Sequence, residues 1–438
     1  MTDQTAGGLP DAPYPGFWTR ANIAGAIGNT LEWYDFAIYG YLAPIIAAQF
    51  FPSDDKTVSL IATFGVFAAG FMMRPIGGIF FGHIADRHGR KLALTLSVGM
   101  MAIPTTLIAF LPGYAAIGVA APLLLTLLRL CQGLSVGGEY TSSATFLVEH
   151  APIGRRGLAG SWAVTGAIVG LLLGSAVADL MSNMLAPDAM KSWGWRVPFL
   201  MGILLGFAGV FLRRNVEETF SAPELEDLSG NVDTMGQVPL IDAFRNHGRD
   251  IARVVGICVF SAISFYGGFV YLVTYLEEYT KVSQAVALDF NTASLLLLVI
   301  LLPVAAHISD KVGRKPMLLT GTILMGLGSY PIFWLLHHPS STMIMAGEVI
   351  TVTLIAIFAG CLPATMCELF PGRVRVTAVS VSYNIPYAVF GGTAPMVATW
   401  LIGASHDDLA PAFYVSAAAA ITLVALLTLR ETSRLPLR

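Results

Sequence analysis

From residue 22 to residue 429 this chain is a succession of twelve apolar runs, each closed off by charged or Pro/Gly-rich residues. They lie near 22–50, 57–84, 92–111, 117–148, 157–182, 194–212, 253–276, 287–308, 316–336, 342–367, 376–402 and 411–429. About 20 apolar residues in a helix cross a hydrocarbon core of about 30 Å. In lipid every backbone N–H and C=O must find its partner within the protein, so runs of this length have to be helical. Several exceed what a perpendicular helix needs, and tilt or extension beyond the bilayer is expected. Composition agrees: 55% of the 438 residues are hydrophobic and 12% charged, against about 25% charged in a soluble domain. The expected fold class is an all-α membrane protein with 12 transmembrane helices, embedded as a multi-pass protein in a lipid bilayer.

Charge placement orients the helices. With both termini cytoplasmic, the inner segments hold 19 of the 25 Lys and Arg residues, among them Arg87, Arg90, Lys91, Arg155, Arg156, Lys311, Arg314, Lys315, Arg373 and Arg375. The outer loops hold four (Lys56, Lys191, Arg196 and Lys281), and two, Arg74 and Arg129, fall inside spans. An inner excess of this size selects that orientation over its inverse. Residues 1–21 lack the charged start and short apolar core of a cleaved signal and read as a cytoplasmic tail. Residues 214–250 form the longest polar stretch, acidic at first and basic at its end. They read as a cytoplasmic linker, with room for a short amphipathic helix, between a bundle at 22–213 and a second at 251–430. Residues 431–438 read as a C-terminal cytoplasmic tail.

The same inventory narrows function. A net charge of −3 argues against a nucleic-acid surface. Cys131, Cys258, Cys361 and Cys367 lie singly in apolar runs, without zinc spacing or a disulfide framework, so no metal site is expected. Gly133, Gly137 and Gly138 sit within an apolar run, not between a strand and a helix, so they form no phosphate cradle. With no catalytic constellation visible, the expectation is a protein that is not an enzyme.

The chain also repeats itself. Gly82-His-Ile-Ala-Asp-Arg-His-Gly-Arg-Lys91 recurs as Ala306-His-Ile-Ser-Asp-Lys-Val-Gly-Arg-Lys315. Glu149, Pro152 and Arg156 recur as Glu368, Pro371 and Arg375, each displaced by 219 residues, half the chain. Parallel repeats with a binding site between the halves are a transporter design.

Two sets of buried charge stand out. Glu32 and Asp35, three residues apart, share one face of the first helix, with Tyr39 a turn further on. A carboxylate within a span is costly and marks a pathway or relay. Burial and a like-charged neighbour both favour the neutral form, so one of the pair, with Asp35 the deeper, is expected to load and release a proton. A helix-end pair wetted by cytoplasm is the plainer alternative. In the fourth run, Arg129, Gln132, Val136, Glu139, Tyr140 and Ser143 fall on one stripe at a 3.6-residue period. Apart from Glu348 near one end of a span, the spans of the second half carry few charges. Gly166, Gly170 and Gly174 put small residues on one stripe of the fifth run, a packing or sliding surface. Trp33, Tyr34, Tyr39, Trp162, Tyr266, Tyr271, Tyr275, Tyr383 and Tyr387 fall mid-span or near it. Packing and interface anchoring are the ordinary roles of such aromatics, but they also suit a quaternary ammonium through cation–π attraction.

The first Asp-Arg repeat fits the G-x-x-x-D-[RK]-x-G-R-[RK] signature of the major facilitator superfamily, and the second departs only in Ala306. Gly28-Asn-Thr-Leu-Glu-Trp-Tyr-Asp-Phe36, Arg74-Pro-Ile-Gly-Gly78, Gly133-Leu-Ser-Val-Gly-Gly-Glu-Tyr140 and Trp193-Gly-Trp-Arg-Val-Pro198 resemble that superfamily's metabolite:proton symporters, which carry proline/betaine, α-ketoglutarate, citrate or shikimate. The segment 429–437 resembles the proline/betaine type, whereas Ser382-Tyr383-Asn384 and Phe390–Thr393 resemble the organic-acid members. The resemblance implies two pseudo-symmetric six-helix bundles in a bacterial inner membrane, expected as a monomer. It implies proton-coupled symport by alternating access, with the proton gradient as driving force and no cofactor. It gives Arg129 a coupling role, either binding a substrate carboxylate or acting on the proton-carrying carboxylate. Glu139 would then meet the ammonium end of a zwitterion. Tyr39, Gln132, Tyr140, Trp162, Tyr383 and Asn384 complete the expected substrate site. Asp86, Arg90, Glu149, Asp310, Arg314 and Glu368 are expected to form cytoplasmic gating clusters. A fully ionised tricarboxylate would call for three or four dedicated cations, so a proline/betaine-like zwitterion is favoured. A dicarboxylate symporter is the alternative, and a drug:proton exporter is disfavoured by the first-helix and Gly-Gly-Glu-Tyr motifs.

Overall fold

The computed structural model describes residues 20–88, 90–135, 139–214 and 239–437. Among them the helices form twelve rods. In the first half these are α1 (Arg20–Tyr41, continued by Ala43–Phe50), α2 (Lys56–Met72 and Arg74–His88), α3 (Arg90–Phe110), α4 (Ala120–Ser135 and Glu139–Glu149), α5 (Arg156–Met184) and α6 (Arg196–Arg214). In the second they are α7 (Pro239–Phe265, running through Tyr266–Tyr271 into Leu272–Tyr279), α8 (Gln284–Val312), α9 (Arg314–Leu336), α10 (Ser341–Ala359 and Leu362–Leu369), α11 (Gly372–Pro386, Tyr387–Gly391 and Gly392–Ser405) and α12 (Pro411–Leu427). Each apolar run of the sequence corresponds to one rod. Among the described residues, eight stretches are long and apolar enough to cross a membrane, and Leu96–Phe110 and Pro411–Leu427 are shorter apolar helices.

Starts and breaks have local causes. Asp55 caps α2 by accepting from Thr57 N at 2.8 Å, and Ser283 caps α8. Pro44 and Pro363 occupy the first turn of the second segments of α1 and α10, where a missing N–H is tolerated. α7 and α11 each contain a π-helical stretch, beginning at Tyr266 and at Tyr387; such wide turns frequently accompany functional sites. The end of the expected linker is already helical, for α7 starts at Pro239 and bends at His247 (φ −123°, ψ 15°) before entering its span.

The halves meet along two seams, α5 on α8 and α2 on α11. Outward-facing side chains such as Leu107, Leu123, Phe207, Leu327 and Val424 are exposed and apolar, as lipid contact requires. Within the first half, backbones touch. A Cβ at Gly133 of α4 would lie 1.9 Å from the Gly70 carbonyl oxygen of α2, and one at Gly170 of α5 would lie 2.4 Å from the Thr30 carbonyl oxygen of α1. The glycine stripe of α5 thus packs against α1, not across the seam to α8. Gly133→Ala is expected to destabilise the protein by about 1–3 kcal/mol, the usual range for overpacking. It should show as a lower melting temperature in detergent, while Gly99→Ala, with nothing within 4 Å of its added Cβ, should leave melting unchanged.

Candidate functional site

The two carboxylates of α1 each have their own arginine. Arg129 Nη1 lies 3.0 Å from Asp35 Oδ2, and both side chains are sealed from solvent. Thr105 of α3 donates to Asp35 Oδ1 at 2.6 Å, and Gln132 Nε2 donates to the same oxygen at 2.8 Å. Gln132 Oε1 accepts from Arg129 Nη1 at 3.0 Å. The guanidinium stands 4.5 Å from the ring centre of Tyr39, 4.8 Å from that of Phe36 and 5.7 Å from that of Phe67, a cation–π arrangement that desolvation strengthens. Tyr39 is fixed in turn by its bond to the Thr63 carbonyl at 3.0 Å. The cluster is closed: one carboxylate, one cation, two neutral hydrogen-bond partners and a wall of rings.

Glu32 forms a second buried ion pair, with Arg74 of α2. The Arg74 guanidinium lies 4.9 Å from the ring centre of Phe71 and 5.8 Å from that of Trp33. Beyond Trp33 the aromatics form a ladder across the two halves. Trp33 stacks on Tyr266 at 6.1 Å, Tyr140 on Tyr383 at 4.6 Å, and Tyr383 on Tyr387 at 4.0 Å. Ser261 and Tyr387 share a hydrogen bond of 2.8 Å. Trp33 and Tyr140 of the first half and Ser261, Phe265, Tyr383 and Tyr387 of the second line a cavity of about 20 Å³ between the bundles. That is room for about one water, so the space between the bundles is collapsed.

Both faces are shut. On the side assigned to the cytoplasm, Arg314 grips Glu368 with two bonds (3.1 and 3.3 Å) and Asp310 at 2.8 Å. Asp310 also accepts from the backbone N–H groups of Gly157 and Leu158, at 2.8 and 2.9 Å, at the start of α5 in the opposite half; a helix N-terminus favours such an anion. Glu149 bridges the halves to Arg375 at 2.5 Å. Residues after α12 fold over the same face: Thr432 bonds Glu368 at 2.6 Å, and the Leu435 carbonyl accepts from Arg156 at 2.7 Å. Glu431 caps α9, accepting from the N–H groups of Arg314 and Lys315 at 2.9 Å. Burial acts to raise its carboxyl pKa, but the backbone donors of Arg314, Ser433 and Lys315 outweigh it and hold the group below its ordinary value. Its capping is therefore present near neutrality and is lost only as pH falls through that depressed value. On the opposite face Lys56 of α2 pairs with Glu278 of α7, and Ser175 of α5 bonds Thr292 and Asn291 of α8 at 2.8 and 3.0 Å.

Three comparisons bear on this architecture. The chain matches the family description "Sugar (and other) transporter" over residues 21–221 and "Major Facilitator Superfamily" over residues 255–437. It is 33% identical over 424 residues to the proline/betaine transporter of Salmonella typhimurium (strain LT2), covering 96% of this chain and 85% of that protein. The chain belongs to the major facilitator superfamily. It is one of that superfamily's metabolite transporters, a multi-pass membrane protein and not an enzyme. It is also 34% identical over 425 residues to the glycine betaine/proline/ectoine/pipecolic acid transporter OusA of Dickeya dadantii, covering 96% of this chain and 84% of that one. The E. coli proton:xylose symporter XylE, bound to 6-bromo-6-deoxy-D-glucose, shares the fold with a TM-score of 0.73 at 18% identity, covering 95% and 97% of the two chains.

The transporter's geometry sorts the residues singled out from sequence. Asp35, Arg129, Gln132 and Tyr39 come together in one cluster, and Tyr140 and Tyr383 in another. Asp310, Arg314 and Glu368 meet at the face assigned to the cytoplasm, where Glu149 pairs with Arg375. Asn384 bonds Ser380 at 3.1 Å on its own helix, and Trp162 is part-buried outside the cavity lining. Tyr34 instead ties α1 to α6 through the Pro198 carbonyl at 2.7 Å. The side chains of Asp86, Arg90 and Glu139 lie outside the described residues. Glu32 and Asp35 do not face each other as an isolated like-charged pair, because each is met by its own guanidinium. Arg74 was missed as a site residue. Its signal was present, since it and Arg129 are the two basic residues inside spans, but only the fold shows that it meets Glu32.

Proposed function

We propose that this transporter takes up a small zwitterion of the proline/betaine kind by proton-coupled symport. The observation that carries the reading is the pair of buried arginine–carboxylate contacts on one helix, in two different settings. Asp35–Arg129 is walled off from the cavity by rings and neutral donors, as a proton carrier should be. Glu32–Arg74 sits beside the aromatic ladder of the central cavity, where opposite charges and π faces together complement a carboxylate and an ammonium. Protonation of Asp35 would release Arg129 from its partner and shift the balance between two packed states. The curated relatives named for proline and betaine transport support the substrate class. On this reading the protein works as a monomer in a bacterial inner membrane, with both termini cytoplasmic, an orientation that the positive-inside bias supports.

Uptake into proteoliposomes under an imposed pH gradient, alkaline inside, tests this directly. Labelled proline or betaine should accumulate above its outside concentration, collapse on addition of a protonophore, and resist competition by α-ketoglutarate. Accumulation of α-ketoglutarate in place of the zwitterions would overturn the substrate class, and gradient-independent equilibration would overturn the coupling.

A further inference from the structure

One buried carboxylate stands outside every arginine contact described above. Glu348 of α10 is 1% exposed. Its Oε2 accepts from Ser294 of α8, and its Oε1 has no hydrogen-bond partner. Among the described residues no Lys, Arg or His lies within ion-pair distance of it. Glu348 is seven residues into α10, or about 10 Å along the helix, from the end opposite the Arg314 cluster. That places it on the outer side.

Its surroundings are the outer part of the seam between the halves. From α8 come Ser294 and, a turn earlier, Asn291, which bonds Ser175 of α5 in the other half at 3.0 Å. From α1 comes the buried Tyr41, which lies near Asn291 and Glu348. His337, at the end of α9, is directed to Tyr275 and Asp408 instead. Nearer the rim, Asp179 of α5 and Asp289 of α8 face each other across the same seam.

We propose that Glu348 is a second proton-binding site, loaded from the outer solution, whose occupancy lets the outer seam close; this rests on the proton-symport reading. The step is a proton transfer from water to a Glu348 carboxylate oxygen, and the seam then closes over a neutral carboxyl. An uncompensated anion there would have to shed its water on closure, which is costly, whereas a neutral carboxyl bonded to Ser294 is not so penalised. The ionised group therefore holds the seam open to water, and the neutral group permits the packed state described here.

The test is labelling of Thr292→Cys by a membrane-impermeant maleimide in right-side-out vesicles across external pH. The parent chain supplies the background, and the rate is taken relative to an exposed Ser53→Cys, which removes the thiol's own titration. Relative labelling should rise about tenfold from acidic to alkaline pH, as expected when a minor open state becomes the dominant one. Glu348→Gln should abolish that rise and hold labelling at the acidic level, while Glu348→Asp should keep it. A Glu348→Gln protein with the parental pH dependence would overturn the proposal, as would flat labelling in the Glu348 protein. So would a pH dependence removed by Asp289→Asn but untouched by Glu348→Gln. Failure of the symport reading shows separately, as absent gradient-driven uptake in the unmutated transporter.

Discussion

Arg129→Gln is expected to reduce gradient-driven accumulation at least a hundredfold. The residue is fully buried and its bond to Asp35 is a direct ion pair. Removing one partner of a buried pair costs about 3–5 kcal/mol, because the remaining charge is left uncompensated. Thr105 and Gln132 still donate to Asp35 in the variant, so its carboxyl keeps two dipoles but no cation. The fold and the coupling therefore suffer together, and a double variant separates them. Asp35→Asn/Arg129→Gln removes both charges and should recover much of the folded yield in detergent. It should still exchange substrate across the membrane without a gradient, yet accumulate nothing when a gradient is imposed. Full accumulation by Arg129→Gln would show that the pair is structural glue between α1 and α4.

Arg314→Gln is expected to have the second-largest effect, at the other end of the molecule. Arg314 neutralises Asp310 and Glu368 at once, and all three side chains are almost entirely inaccessible. Without it two anions share a buried site, and the cheapest relief is to let water in by parting the face assigned to the cytoplasm. Transport should fall by at least tenfold while substrate binding is retained, since the aromatic cavity is lined by other residues. A cysteine at Leu158, whose backbone bonds Asp310, should become reactive from the cytoplasmic side. Adding Glu368→Gln should restore part of the closure. Loss of substrate binding with Arg314→Gln would instead make the cluster part of the ligand site.

The long-range plan of this transporter was open to inspection in one dimension because lipid imposes it. Apolar length, inner basic excess and the two displaced repeats all follow from the bilayer and from duplication, and the twelve rods lie where the runs do. Pairing was less legible. Repeat symmetry relates Glu149 and Arg156 to Glu368 and Arg375, but not who meets whom. The structure crosses the copies, joining Glu149 to Arg375, while Glu368 stays with Arg314 and Arg156 bonds the Leu435 carbonyl. Helical periodicity placed Glu32 and Asp35 on one face without revealing that α2 and α4 each bring a guanidinium to it. Glu348 was visible as a lone acid, but only the packing of α8, α10 and α1 shows that it is dry and lacks a counter-charge.

The backbone contact of Gly170 and Gly174 with α1 has a mechanical consequence. Helices that touch at their main chains cannot rock against each other without collision, so α1 and α5 must travel as a single stiff lever. One arm of that lever carries Asp35 and Glu32. The other ends at Gly157 and Leu158, where Asp310 of the opposite half takes hold. A change of charge at mid-membrane then needs no relay of side chains to reach the inner latch, because both are mounted on the same beam.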